Sequence, residues 1–288
     1  MVAGWPVDAA AVGVVRWDPA ADAGAGEPGP SATTGDPRRT FPWASVTKLA
    51  TALAVLVAVE EGTLGLDSPA GPPGSTVRHL LAHASGLGPE PGPPVEPPGM
   101  RRIYSNAGYV TAAASLESAS GVAFADYLAE GVLEPLGMAA TGLVDASVGA
   151  PAAGLAGPLA DLLGLAREWA RPTLVSPTTW RQATSVQFAG LAGVLPGFGP
   201  FAPCDWGLGA EVRGGKRPHW TGPSNSPATY GHFGQSGSFL WIDPVAGVLC
   251  CGLADRPYGA WASRAWPALA EAVLAPSATG TTDDPAAG

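Results

Sequence analysis

The sequence predicts an α+β fold: one antiparallel sheet flanked by helices and built from both ends of the chain, with an all-helical domain inserted between them. Two observations predict it. Strand-like runs lie near the ends, at residues 11–17 and again at 205–213, 228–244 and 247–255, bounded by glycine, proline and other turn residues. Between them, residues 106–120, 123–137, 158–170 and 176–184 read as helices. The expected division is 1–70 with 205–288 for the sheet domain, and 71–204 for the helical domain.

Residues 11–17, AVGVVRW, read as the first strand. The loop after it contains Gly24-x-Gly26-x-x-Gly29, formally a dinucleotide fingerprint. Pro28 and the absence of a following helix remove the helix N-terminus that would hold a pyrophosphate. Residues 45–62 then read as a helix that is apolar on every face from Val46 to Val59, the pattern of a helix buried on all sides. A short helix is expected at 77–88, ending at Gly86, and the proline-rich run 88–99 is stiff enough to form a rim or lid. Past the central helices, Asp243-Pro244 opens a turn between the last two strand runs, and 259–275 reads as a closing helix.

With 288 residues, 46% hydrophobic and 14% charged, the chain can bury a substantial core, while 40 Gly and 31 Pro promise long punctuated loops. A net charge of −9 argues against nucleic acid or an anionic membrane as partner. The amino terminus has no basic segment followed by a long apolar one, so the expected location is cytoplasmic. The apolar run after Lys48 is shorter than the roughly twenty residues a membrane-spanning helix needs. Cys204, Cys250 and Cys251 have no metal spacing and read as free buried thiols. His79 and His83 are four apart but lack an H-E-x-x-H frame, so neither a metal nor another cofactor is expected.

Three short segments carry candidate chemistry. Ser45-Val46-Thr47-Lys48 sets a hydroxyl and an amine one helical turn apart on one face. A buried lysine gives up its proton readily, and the neutral amine can act as base toward the serine. The plainer alternative is a capping serine and a lysine whose head reaches solvent. Tyr104-Ser105-Asn106, at the start of another helix, offers a phenol that can pass a proton and an amide that can hold a carbonyl. In Gly231-His232-Phe233-Gly234-Gln235, glycines within a strand mark a bulge or a close approach to the backbone.

In this order the three segments resemble the S-x-x-K, Y-x-N and H-x-G elements of the serine β-lactamase and penicillin-binding-protein superfamily, specifically its branch of class C β-lactamases, DD-peptidases and related carboxylesterases. The phrases EEGTLGLDSP, VRHLLAHASGL, PPGMRRIYSNAGY, LEPLGM and WGLG are similar too, so the resemblance runs over roughly residues 40 to 255. It implies a β-lactamase/transpeptidase-like fold with the site between sheet and helical domain. It further implies Ser45 as nucleophile, with Lys48 and Tyr104 sharing the proton transfers, and an oxyanion held by the backbone N–H groups of Ser45 and Gln235. Asn106 would orient Lys48 and substrate; His232, Phe233 and Gly234 would line the substrate site. By the same likeness, His79 and His83 are structural.

Two departures bear on substrate. Tyr104 follows Ser45 by 59 residues, fewer than the family pattern, which implies a trimmed helical wall. Phe233 stands where penicillin-recognising members carry Thr or Ser, whose hydroxyl helps hold a carboxylate. The expectation is therefore a serine hydrolase forming an acyl-enzyme on a small ester or amide. The alternatives are a β-lactamase or D-alanyl-D-alanine-type peptidase, and a catalytically silent binding protein.

Overall fold

The computed structural model describes residues 2–20 and 32–275, so the run from Gly24 to Gly29 lies outside the described residues. The chain enters through β1 (Ala10–Arg16), β2 (Ala32–Thr34) and the short β3 (Phe41–Pro42). A single 3-10 turn, Ala44–Val46, leads directly into α1 (Thr47–Glu60). The helical middle begins with α2 (Val77–Leu81), α3 (Asn106–Ser120) and α4 (Phe124–Leu128), which runs on as a π turn over Ala129–Leu133. Then come β4 (Gly142–Leu143), α5 (Ala150–Ala153), β5 (Leu155–Gly157), α6 (Leu159–Ala170) and α7 (Pro177–Thr184). A small hairpin, β6 (Gly193–Leu195) and β7 (Gly199–Phe201), precedes β8 (Glu211–Val212), β9 (Tyr230–Gly234), β10 (Ser238–Asp243) and β11 (Val248–Ala254). Helix α8 (Ala262–Leu274) closes the described chain.

The main sheet has the order β2-β1-β11-β10-β9-β8, antiparallel throughout, and β1 joins the two ends of the chain by pairing with β11 from Ala10–Ala254 to Arg16–Val248. Strand alternation sends Ala11, Val15, Leu240, Ile242, Leu249 and Cys251 into a large core shared with the helical layer. The opposite alternates, Val12, Val14, Phe239, Trp241 and Cys250, form a second core under α8. Helix α1 lies against α3 and α5 and reaches β9, which is why every residue from Thr47 to Ala58 is buried. An apolar surface all round is the composition such a position requires.

Several elements depart from their expected extents. The run 77–88 is helical only over Val77–Leu81, because His83 takes a left-handed backbone (φ 54°) and the chain leaves the helix axis. Of 205–213 only Glu211–Val212 is strand; Gly209 (φ 108°) folds the chain back so that the Gly207 N–H bonds the Ala210 carbonyl. The run 228–244 is a hairpin rather than one strand, turning at Gly237 (φ 96°), whose N–H bonds the Gly234 carbonyl. Within the segment read as helical, β5 pairs with β3 on one side and with β4 on the other in a separate three-stranded sheet, with strands too short to show an alternation in sequence. No helix among the described residues is long and apolar enough to cross a membrane, and none of their His, Cys, Asp and Glu side chains cluster as a metal site would.

Candidate active site

The 3-10 turn that carries Ser45 is tied down on both sides. The Trp43 N–H bonds the Leu155 carbonyl at 2.8 Å, its indole Nε1 bonds the Gly157 carbonyl at 3.1 Å, and the Ser238 hydroxyl donates to the Trp43 carbonyl at 2.6 Å. Ala44 is held at φ 44°, a conformation costly for a side-chain-bearing residue, so the surrounding contacts must impose it. The turn packs directly on β9: a Cβ at Gly234 would lie 2.4 Å from the Trp43 carbonyl oxygen and 3.1 Å from the Ala44 methyl. A glycine permits this approach, which brings the backbone of Ser45 up to the end of β9. Among the described residues, neither the Ser45 nor the Gln235 N–H is taken by a protein acceptor. The Ser45 side chain makes no helix-capping bond.

Lys48 is fully buried, with its Nζ 3.2 Å from Ser45 Oγ, 2.7 Å from Asn106 Oδ1 and 2.9 Å from the Ala152 carbonyl. Burial lowers its pKa to about 7, against the opposing pull of Glu90. Neutral Lys48 has two N–H groups, which match Asn106 and Ala152, and one lone pair, which is left for Ser45. Asn106 is itself oriented, because its Nδ2 donates to the exposed carboxylate of Glu90 at 3.1 Å and so turns Oδ1 toward the lysine.

Tyr104 lies across the same space, its ring centroid 4.8 Å from Lys48 Nζ. Burial pushes its phenol well above the usual range, although a hydrogen bond with Ser45 opposes this, so the ring is neutral near pH 7. Two histidine rings flank it, His83 with centroids 4.6 Å apart and His232 with 5.8 Å. His83 Nδ1 accepts the Ser105 N–H at 3.0 Å, which fixes the backbone between Tyr104 and Asn106 and sets the ring as the Nε2–H tautomer. His232 Nδ1 donates to the Phe233 carbonyl at 2.7 Å, leaving Nε2 as a bare acceptor. Burial, with Lys48 nearby, brings His232 down to about 3, and its ring is neutral.

These groups open into a cleft of about 360 Å³, lined by Ser45, Tyr104, His232 and Gln235 together with Trp206, Trp220, Phe233, Leu195, Pro196 and Glu211. Phe233 stands on the α8 face of β9, packed with Trp220, Tyr258 and Trp266, so it belongs to the second core as well as to the cleft wall. Gly234 contributes its closeness to the 3-10 turn. Glu211, 1% exposed, takes an ion pair from Lys216 (2.5 Å) and hydrogen bonds from His219 Nε2 (2.9 Å) and Trp220 Nε1 (3.0 Å). Burial works against this carboxylate, yet His219 and Lys216 hold it down at about 2.

The structure thus brings Ser45, Lys48, Tyr104, Asn106, His232 and Gln235 into one place. Sequence reasoning missed Glu90, Trp206 and the Glu211–Lys216 pair, and His83, expected to be structural, holds the Ser105 backbone beside Tyr104. The only signal for that pair was that Lys216 is the second of two lysines in the chain; Glu90 carried none, and the relation of His83 to Tyr104 exists only in three dimensions.

A helix-covered antiparallel sheet joined to a helical layer, with Ser-x-x-Lys at their junction, is the β-lactamase/transpeptidase-like fold. The chain belongs to the Beta-lactamase family, whose model matches residues 7–274. It is 50% identical to a β-lactamase (Mb2281c) from Mycobacterium bovis, with 95% of this chain and 96% of that one covered and a TM-score of 0.89. A shorter match to Penicillin-binding protein 4* of Bacillus subtilis (strain 168) is 31% identical over 131 residues, 34% of this chain and 29% of that protein. EstCE1, a hydrolase with promiscuous acyltransferase activity, shares the fold at 18% identity, with a TM-score of 0.74 over 93% of this chain and 94% of that one.

Proposed function

We propose that this protein is a serine hydrolase that cleaves esters, or small amides, through an acyl-enzyme on Ser45. The observation that carries the reading is Lys48: a buried amine with pKa about 7, its third contact aimed at Ser45 Oγ at 3.2 Å. Neutral Lys48 takes the Ser45 proton as Oγ attacks the substrate carbonyl carbon. The negative charge that develops on the carbonyl oxygen is met by the Ser45 and Gln235 N–H groups, which are preorganised because both backbones are locked. The proton then passes to the leaving oxygen by way of the Tyr104 phenol, the alcohol departs, and the acyl group stays on Ser45. Water, giving its proton to the same base, releases the acid. Asn106 and Glu90 keep Lys48 pointed at the serine, and neutral His232 offers an acceptor beside Tyr104.

The test is intact-protein mass spectrometry after exposure to a fluorophosphonate, followed by peptide mapping. One adduct, on Ser45, is expected. An adduct on Ser85 or Ser236 instead sinks the assignment, and no adduct at all favours a silent binding protein. A second reading, β-lactam hydrolysis, is favoured by the 50% identity to a β-lactamase. Phe233 weighs against it, since a phenyl ring offers a substrate carboxylate no hydrogen bond, and an unpartnered polar group in a cleft costs about 1–3 kcal/mol.

A further inference from the structure

The wall of the cleft at Ser45 has a second face. Tyr104 and Pro196 also line an adjoining open groove of about 1090 Å³, walled by Pro89 and Val95 of the proline-rich loop and by Ile103 and Val194. Val95 is 63% exposed and Val194 48%, and Met100, next to Arg101 of the groove, is 62% exposed. Large apolar side chains left in solvent along a groove that shares Tyr104 and Pro196 with a reactive cleft are suited to an apolar substrate part.

The groove is preformed. Arg102 is 2% exposed; its Nε bonds the Cys204 carbonyl at 2.9 Å, its Nη2 bonds the Gln187 carbonyl at 2.7 Å, and it also bonds the Ala82 carbonyl. Its own N–H bonds the Ala192 carbonyl at 2.9 Å, so the Ile103–Tyr104 wall and the Val194 wall are fastened to each other. On the loop side the Val95 N–H bonds the Gly86 carbonyl at 2.9 Å, where Gly86 (φ 82°) lets the two segments meet.

Tyr104 lines the groove, whereas Ser45 and Gln235 line only the smaller cleft. In the proposed reaction the acyl group remains on Ser45 and the proton reaches the leaving oxygen through Tyr104. Resting on that reading, we infer that the groove binds the leaving alcohol, and that the preferred substrates are esters of an extended apolar alcohol with a compact acyl group.

The test compares kcat/KM across acetate esters from ethyl to hexyl, and across ethyl esters from acetate to hexanoate. A half-buried methylene contributes about twofold, so the hexyl to ethyl ratio on the alcohol side is expected to reach at least about tenfold in the wild type. Val194→Asp should bring that ratio below about threefold and Val194→Ile should keep it. Val245→Asp, at an exposed turn outside the groove, should leave it unchanged. A flat alcohol series, a length dependence on the acyl side alone, or a ratio untouched by Val194→Asp overturns the inference while the hydrolase reading stands. Absence of turnover on every ester, with no adduct on Ser45, removes the hydrolase reading and this inference with it.

Discussion

Lys48 has two fixed acceptors, Asn106 Oδ1 and the Ala152 carbonyl, the Ser45 hydroxyl as third neighbour, and no carboxylate in contact among the described residues; a neutral amine, with two donors and a lone pair, fits these neighbours without the cost of burying an unpaired ammonium. The sign of the pH dependence follows. Burial lowers the folded pKa from 10.5 to about 7, and the deprotonated form is the base, so activity is lost as pH falls through 7. The expected kcat/KM profile for a nitrophenyl ester is an ascending limb with its midpoint near 7, falling about tenfold per pH unit below it. Lys48→Arg keeps a basic side chain of similar length but stays permanently charged and cannot release a proton. It should lower turnover at least about a hundredfold, with a circular dichroism melt reporting an intact fold. An arginine variant with most of its activity would make Lys48 a structural cation.

At the scale of elements, the critical contact is the 3-10 turn resting on the end of β9, where Gly234 leaves no space for a side chain. Gly234→Ala should push the two apart, costing about 1–3 kcal/mol of stability by overpacking and at least about tenfold in the rate of Ser45 acylation. Thermal melts and fluorophosphonate labelling rates measure both. Wild-type labelling in this variant would show that the spacing between Ser45 and Gln235 does not matter. The glycine was noticeable in sequence because glycine inside a strand is unfavourable without a reason, but the partner across the gap, the Trp43 carbonyl, was not readable. Long periodic elements such as α1, α3 and β11 were legible. The hairpin at Gly237, the early end of α2 and the strands β4 and β5 were not, because backbone reversals and two-residue pairings leave no periodic trace.

Across the whole molecule, two cores share one sheet, and each bears on function differently. The Glu211–Lys216–His219 network at the edge of the second core contributes stability that depends on pH. With the folded carboxyl near 2 and the ordinary value 4.5, its contribution is full above about 4.5 and is lost as pH falls toward 2. Glu211→Gln leaves buried Lys216 uncompensated, so it should cost about 3–5 kcal/mol at pH 7 and flatten the acid limb of a urea-unfolding series against pH. Phe233 ties the same core to substrate choice. A short-chain nitrophenyl ester should be turned over with a far higher kcat/KM than nitrocefin. Phe233→Thr should narrow the gap, although the cavity left among Trp220, Tyr258 and Trp266 costs about 3 kcal/mol. If the wild type prefers nitrocefin, or the threonine variant gains nothing on it, Phe233 does not set substrate choice and β-lactam hydrolysis becomes the favoured activity.

By itself the sequence determined the pieces whose physics is local or periodic. The buried helix that follows Ser45, the one-turn spacing of Ser45 and Lys48, the sheet drawn from both ends, and the glycine of His232-Phe233-Gly234 all express short-range geometry or repeated burial. The tertiary structure alone decided what surrounds the amine. Asn106 comes to Lys48 across 58 residues of chain and the Ala152 carbonyl across 104. A lowered pKa is a property of that enclosure rather than of the lysine, since desolvation and aligned acceptors arise only when segments distant in sequence pack together and exclude water.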